Sequence, residues 1–142
     1  MVTSRASATW EGGLKNGGGT FTAASGAFKG QYSAATRFEG KSGSTPEELI
    51  AAAHAACFSM ALSADLEKAG KPATRVHTDA VCTIDVVNGA PTITKMELTV
   101  RGRVPGLDQA GFERAAAGAK DGCPVSRALK GIAQVTVAAK LE

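Results

Sequence analysis

The stretch that decides the fold reads TPEELIAAAHAACFSMALSADLEKAGKP and covers residues 45–72. Thr45 can serve as the N-cap of a helix, with Pro46 at the first helical position and the Glu48 carboxylate returning to the cap's amide. Residues 49–64 carry no formal charge and are largely alanine, with large apolar side chains around the whole circumference. The closing Ala-Gly-Lys-Pro predicts the end of the helix.

Such an apolar helix is expected to be buried on nearly all sides. Its sixteen uncharged residues rise only about 24 Å, which is shorter than the hydrocarbon core of a bilayer. The pattern therefore favours the central helix of a soluble core over a membrane span.

The remaining segments predict strands, a helix, strands, helices and a strand in that order, which is an α+β domain. Residues 6–38 alternate like an antiparallel meander, and 40–44 read as a loop. After the long helix we expect strands at 76–85 and 92–103 joined by Asn88-Gly89, helices at 107–120 and 125–130, and a strand at 132–141. No linker is evident, so one domain over residues 1–142 is predicted.

Composition excludes several classes of function. A net charge of +3, from 16 basic and 13 acidic side chains, leaves no basic stripe for a nucleic acid. Residues 1–5 lack the apolar run of a secretory signal, so we expect a cytoplasmic protein. Two His and three Cys show no metal-ligand spacing, and no phosphate-binding glycine loop occurs, so neither a metal nor a cofactor is predicted.

The three cysteines lie in different contexts. Cys57 is in the middle of the apolar helix, where burial alone would raise its pKa, so reactivity would need a cation from elsewhere in the fold. Cys123 falls at the predicted N-cap of a short helix that begins at Pro124, a position that favours a thiolate. Packing alone would also explain Cys57, and a turn without a role would explain Cys123. Cys82 lies within a strand pattern and reads as structural.

A Cys–His acyl hydrolase is a further possibility. His54 precedes Cys57 by three residues and would share its helix face. A histidine in an apolar helix is also well explained as a core or interface residue, and His77 looks like a strand residue on an exposed face.

Three blocks of sequence, at residues 36–40, 46–62 and 122–126, read TRFEG, PEELIAAAHAACFSMAL and GCPVS. Together they closely resemble the osmotically inducible protein C (OsmC) family, relatives of the organic hydroperoxide resistance (Ohr) proteins. The resemblance extends from Trp-Glu-Gly at 10–12 through Val-Pro-Gly at 104–106 to the last strand, with no departure at the motif positions.

The resemblance implies antiparallel sheets around a long central helix, an intertwined homodimer, and a peroxidase that protects against oxidative stress. It implies that Cys57 is the peroxidatic thiol, that Cys123 is the resolving thiol, and that Arg37 and Glu47 form the polar pair around an organic hydroperoxide. A Cys57–Cys123 disulfide would then be reset by an external dithiol, for which the resemblance points to lipoyl groups on other proteins. Arg37 would then be the cation that Cys57 needs in order to be reactive.

Helix geometry adds one expectation about assembly. Glu47 precedes Cys57 by ten residues, which is about 15 Å of rise and a different face on a straight helix. Either Glu47 departs from the start of the helix or a partner subunit donates part of the site, and we expect the second. The uncharged helix also carries more apolar surface than one fold of this size could cover.

The alternative function is a non-catalytic, stress-related module that holds a small apolar ligand at the dimer interface.

Overall fold

The computed structural model describes residues 1–142, which form two compact units, residues 1–49 and residues 50–142, with the boundary inside the second helix. The elements are β1 (Ala6–Glu11), β2 (Gly18–Ala23), β3 (Lys29–Tyr32), α1 (Ala34–Phe38), α2 (Pro46–Lys68), β4 (Arg75–Val87), β5 (Ala90–Arg103), α3 (Gln109–Gly122), α4 (Pro124–Ala128) and β6 (Gln134–Leu141). The α+β prediction is confirmed. That residues 1–142 act as one domain stays a prediction.

In the first unit, β1, β2 and β3 form the predicted antiparallel meander, in that order. The meander ends earlier than predicted, because residues 34–38 form α1 rather than strand. Ser33 caps this helix: its hydroxyl accepts from the Thr36 amide at 3.1 Å, and the Thr36 hydroxyl accepts from the Ser33 amide at 3.0 Å. This capping box has Thr36 where Glu or Gln is usual, so the start of α1 lacks the common sequence signature of a helix N-terminus.

The long helix α2 begins and ends as predicted. The Glu48 amide donates to the Thr45 hydroxyl at 3.0 Å, and the Thr45 amide donates to the Glu48 carboxylate at 3.2 Å. Beyond Lys68 the backbone turns at Gly70, whose φ of 72° is costly for any residue with a Cβ.

The expectation that α2 is buried on nearly all sides is wrong for the single chain. The helix is long and apolar enough to cross a membrane by length and composition, and only 22% of its apolar window is buried. One face, His54, Phe58, Leu62 and Leu66 at a spacing of four, is fully or almost fully buried. The opposite face is exposed and consists of Ala52, Ala53, Ala56, Met60, Ser63 and Ala64.

The second unit contains a sheet in the order β4-β5-β6. β4 and β5 form the predicted hairpin, with positive φ at Asn88 (52°) and Gly89 (80°) in the turn. β6 pairs with β5 in the parallel direction, with Lys95 opposite Gln134 and Gly102 opposite Leu141. Its inward and outward positions alternate as predicted.

The core of the second unit brings together α2, β5, α3 and the start of α4. Its buried members are Phe58, Leu62, Leu66, Leu98, Val100, Val104, Phe112, Ala116, Ala119 and Cys123. Gly102 permits the close approach of α3, because a Cβ there would lie 2.5 Å from the ring of Phe112. This packing fixes α3, and therefore the start of α4, against the buried face of α2.

Candidate active site

Two thiols meet in the second unit. Cys57 lies in the middle of α2 and is half buried, whereas Cys123 lies between α3 and α4 and is fully buried. Their Sγ atoms are 2.9 Å apart and neither is in a disulfide. The fold thus brings together two thiols that are 66 residues apart along the chain.

The surroundings of Cys123 favour its thiolate. Cys123 is the N-cap of α4, with Pro124 at the first helical position. Burial acts to raise its pKa, but a hydrogen bond with Cys57, the Ser126 amide and hydroxyl, and the Val125 amide outweigh burial and hold the pKa below its ordinary value.

Cys57 is affected in the opposite direction. Burial raises the pKa of its thiol, and the hydrogen bond with Cys123 raises it further, against a smaller opposing contribution from the Val125 amide. Either thiol can donate in such a pair, and the amides that stabilise charge on Cys123 assign the proton to Cys57. The raised pKa of Cys57 beside the lowered pKa of Cys123 favours the proton on Cys57, and a positive charge close to Cys57 would favour its thiolate.

Arg37 and Glu47 are joined in the first unit. Arg37 donates from Nη2 to Glu47 Oε1 at 2.6 Å, and from Nε to Oε1 and Oε2 at 3.0 and 3.2 Å. The Glu47 side chain is only 8% exposed, against 35% for Arg37. The guanidinium also lies over the ring of Phe38, with Cζ 5.2 Å from the ring centroid. A buried carboxylate thus holds a half-buried cation in a fixed orientation.

A second contact between distant parts of the chain, which the sequence did not predict, joins His54 to Ser126. His54 is fully buried, and its Nε2 lies 2.7 Å from the hydroxyl of Ser126. Its Nδ1 is buried without a hydrogen-bond partner. Neither ring nitrogen is hydrogen-bonded to Cys57, so the acyl-hydrolase interpretation lacks its base. The sequence feature that could have indicated Ser126 as a site residue is its position in the short helix after Cys123, three residues beyond the N-cap.

His77 and Cys82 both lie in β4, away from these contacts. His77 pairs with Asp79 at 3.3 Å, and its side chain is 41% exposed, as its strand pattern predicted. Cys82 is half buried opposite Met96 of β5. No group of three or more His, Cys, Asp or Glu side chains converges as a metal site would require.

Comparison with known proteins gives concordant results. Residues 39–138 match the family model described as OsmC-like protein. The chain is 46% identical over 137 residues to Peroxiredoxin OsmC of Escherichia coli strain K12, covering 96% of this chain and 94% of that protein.

Solved structures agree with the sequence matches. The organic hydroperoxide resistance protein of Elizabethkingia anophelis has a TM-score of 0.75 at 23% identity, covering 100% of this chain and 98% of that one. The organic hydroperoxide resistance protein OhrB of Bacillus subtilis has a TM-score of 0.69 at 24% identity, covering 97% and 98%. At these identities the likeness concerns the fold.

The chain belongs to the OsmC family.

Proposed function

We propose that this protein is a cysteine-based peroxidase that reduces organic hydroperoxides to alcohols and contributes to protection against oxidative stress. The peroxidase class rests on the 46% identity to Peroxiredoxin OsmC over nearly the whole chain. The observation that carries the mechanism is the 2.9 Å contact between the sulfur atoms of Cys57 and Cys123.

The proposed cycle follows from thiol chemistry. The Cys57 thiolate attacks the distal oxygen of ROOH, an S–O bond forms as the O–O bond breaks, and the leaving alkoxide takes up the proton that Cys57 released, which gives ROH and a sulfenic acid on Cys57. The Cys123 thiolate then attacks the Cys57 sulfur, an S–S bond forms as the S–O bond breaks, and the leaving hydroxide takes up the proton that Cys123 released, which gives water and the disulfide. An external dithiol, such as a lipoyl group on another protein, supplies the two electrons that restore both thiols.

Arg37 is the proposed source of the charge that Cys57 lacks. A guanidinium beside Cys57 would move the shared proton off this thiol and polarise the O–O bond, and Glu47 would fix its orientation. Glu47 precedes Cys57 by ten residues, which is about 15 Å of rise on a straight helix. We therefore propose that the Arg37–Glu47 pair of one subunit completes the thiol site of its partner in a homodimer.

The exposed face of α2 supports the dimer. It is lined by alanines and by Met60, whose exposed fraction is 76%. Small residues at a helical spacing allow a second helix to approach closely, and pairing would remove this apolar surface from water. An apolar surface near the thiols would also favour alkyl or aryl hydroperoxides over hydrogen peroxide. The cytoplasm, where thiols are kept reduced, is the proposed location.

Intact-mass spectrometry tests the disulfide. Treatment of the reduced protein with one equivalent of cumene hydroperoxide should remove two hydrogens, and peptide mapping should locate the new bond between Cys57 and Cys123. Cys82→Ser is the matched control, since it removes a half-buried cysteine outside the pair and should give the same bond. A protein that binds cumene hydroperoxide without losing the two hydrogens would be the binding module instead.

Single cysteine variants test the order of the steps. Cys57→Ser should abolish turnover with cumene hydroperoxide and dihydrolipoamide. Cys123→Ser should retain one stoichiometric oxidation, trapped by dimedone on Cys57, and should not be reset through a disulfide. Unimpaired turnover in Cys57→Ser would rule out the assignment.

The role of Arg37 is tested by the pH dependence of Cys57 alkylation by iodoacetamide in a Cys123→Ser background. Arg37→Ala should move the alkylation profile to higher pH, whereas Arg37→Lys should move it less because a positive charge remains. An identical profile in all three proteins would remove Arg37 from this role.

A further inference from the structure

We propose that a cavity between α3, α4 and the start of β6 binds phosphate monoesters, that is, small molecules with a phosphate group and a short apolar group. The cavity lies within residues 50–142 and has a volume of about 310 Å³. Neither Cys57 nor Cys123 is among its lining residues, so the inference does not depend on the proposed peroxidase function.

Positive side chains dominate the lining of this cavity. Lys120 comes from the end of α3, Arg127 from α4 and Lys130 from the segment that follows α4. Asp121 is the one carboxylate among the lining residues, so three positive charges against one negative charge leave an excess of two. Like charges around one space repel each other unless an anion lies between them. The excess matches the charge of a phosphate monoester near neutral pH.

Two of these cations have no partner in the protein. The side chains of Arg127 and Lys130 make no ion pair and no hydrogen bond, whereas Lys120 lies 3.8 Å from Asp121. Lys120 and Arg127 are in the last turns of α3 and α4, where the helix dipole favours a cation. That preference does not apply to Lys130, which follows the C-cap of α4 and lines the same cavity. The helix ends therefore do not account for the whole cluster.

The second sheet carries another group of cations, and it differs in this respect. Arg75 and Arg103 both pair with Glu142, at 3.6 and 3.5 Å. Arg101 pairs with Asp79 at 3.3 Å. Each of these arginines thus has a carboxylate partner within the chain, whereas around the cavity an external anion has to supply that partner.

A buried hydroxyl group lies among the charges of the cavity. Ser126 lines the cavity and is 8% exposed, and its hydroxyl lies 2.7 Å from His54 Nε2. His54 Nδ1 is buried and has no partner. A hydrogen on Nδ1 would be a buried donor without an acceptor, which native structures rarely contain, so we assign the hydrogen to Nε2, which then donates to Ser126. The Ser126 hydroxyl can direct its own hydrogen to an acceptor in the cavity.

The remaining lining is apolar and indicates the second part of the ligand. Ile132 and Val135 complete the cavity at the start of β6. A short alkyl group on the ligand would contact them and remove apolar surface from water. Arginine and lysine side chains are the usual protein partners of phosphate oxygens. The lining therefore fits an ester of phosphate better than it fits the inorganic ion.

Isothermal titration calorimetry with monobutyl phosphate, at neutral pH and constant ionic strength, measures the affinity. Arg127→Gln and Lys130→Gln should each raise the Kd roughly tenfold, the effect of losing one hydrogen bond to a charged group. The matched control is Arg114→Gln, which removes an exposed arginine of α3 outside the cavity lining and should leave the Kd unchanged. A titration without saturable binding, or an equal loss of affinity in the control, overturns the proposal.

Two further ligands test the two parts of the monoester. Butyrate keeps an apolar chain but has a single negative charge, and it should bind roughly tenfold more weakly than monobutyl phosphate. Inorganic phosphate lacks the chain and should also bind more weakly. Equal affinity for butyrate contradicts the assignment to phosphate, and equal affinity for inorganic phosphate contradicts the part assigned to the apolar lining.

The hydroxyl is tested by Ser126→Ala, which should also raise the Kd. An unchanged Kd in the folded variant contradicts the part of Ser126 in the site. If this buried change unfolds the protein, the exposed variants Arg127→Gln and Lys130→Gln still decide whether the cavity binds the ligand.

Amide NMR of the titrated protein locates the ligand. The largest changes in chemical shift on addition of monobutyl phosphate should occur at residues 120–121, 126–127 and 130–132, which surround the cavity. The arginines of the second sheet are the competing location. If the largest changes occur at Arg75, Arg101 and Arg103 instead, the proposal is overturned.

Discussion

The pair formed by Arg37 and Glu47 gives a sharp prediction because its two members are unequally buried. Arg37→Met leaves a carboxylate whose side chain is 8% exposed without its three guanidinium contacts. Breaking a buried ion pair from one side costs about 3–5 kcal/mol, and the 35% exposure of Arg37 places this pair near the lower end, about 3 kcal/mol. For a chain of this length that is a fall of roughly 10 °C in the midpoint of thermal unfolding.

Replacing both members should behave differently. In Arg37→Met/Glu47→Met no charge remains buried, and we expect most of the lost stability to return. The assay is thermal and urea unfolding followed by circular dichroism, at one fixed protomer concentration. The matched control is Lys41→Met, which breaks the exposed Lys41–Glu39 pair at 3.4 Å and should change stability by about 0.5 kcal/mol or less.

Two results would refute this reasoning. The first is a double variant as unstable as the sum of the two single variants, since the cost would then not come from an unpaired charge. The second is a loss in Lys41→Met equal to that in Arg37→Met. In either case the pair would not be the rigid holder of a cation that the proposed mechanism requires.

Three further predictions follow from other contacts. Gly102→Ala should destabilise the protein by about 1–3 kcal/mol in urea unfolding, because its Cβ would lie 2.5 Å from the Phe112 ring, and Phe112→Leu in the same chain should restore part of the loss. Burial lowers the pKa of His54 below its ordinary value of 6.5, so below that pH the unfolded chain binds a proton more readily than the folded chain. The free energy of unfolding should therefore decrease as the pH falls below 6.5, and His54→Gln should make this decrease smaller. Met60→Lys should shift sedimentation from dimer towards monomer, since it places a charge on the exposed face of α2; an unchanged dimer contradicts the use of that face.

Most helices and strands could be predicted from signals within a few consecutive residues. The start of α2 depends on Thr45, Pro46 and Glu48, which lie within four consecutive positions, and the hairpin depends on the adjacent Asn88 and Gly89. Where the local signal was unusual, the prediction was wrong: the Ser33–Thr36 capping box ended the meander before Phe38.

The site depended on contacts between distant parts of the chain. The pattern indicated that Cys57 lies in a helix and that Cys123 lies at a helix start, but periodicity contains no information about a contact over 66 residues. The resemblance to a known family was therefore the sole basis for expecting that pair. The His54–Ser126 contact spans 72 residues, and neither the spacing nor the resemblance indicated it.

The parallel pairing of β6 with β5 has a consequence for how the chain reaches its native state. The first pair in that register, Lys95 with Gln134, encloses α3 and α4, so this pairing closes a long loop and is expected to form late in folding. Until then, one long margin of β5 offers unsatisfied amides and carbonyls to any passing strand. Refolding at high concentration should consequently lose material to aggregates, and added peptide with the sequence of residues 134–141 should compete for that margin.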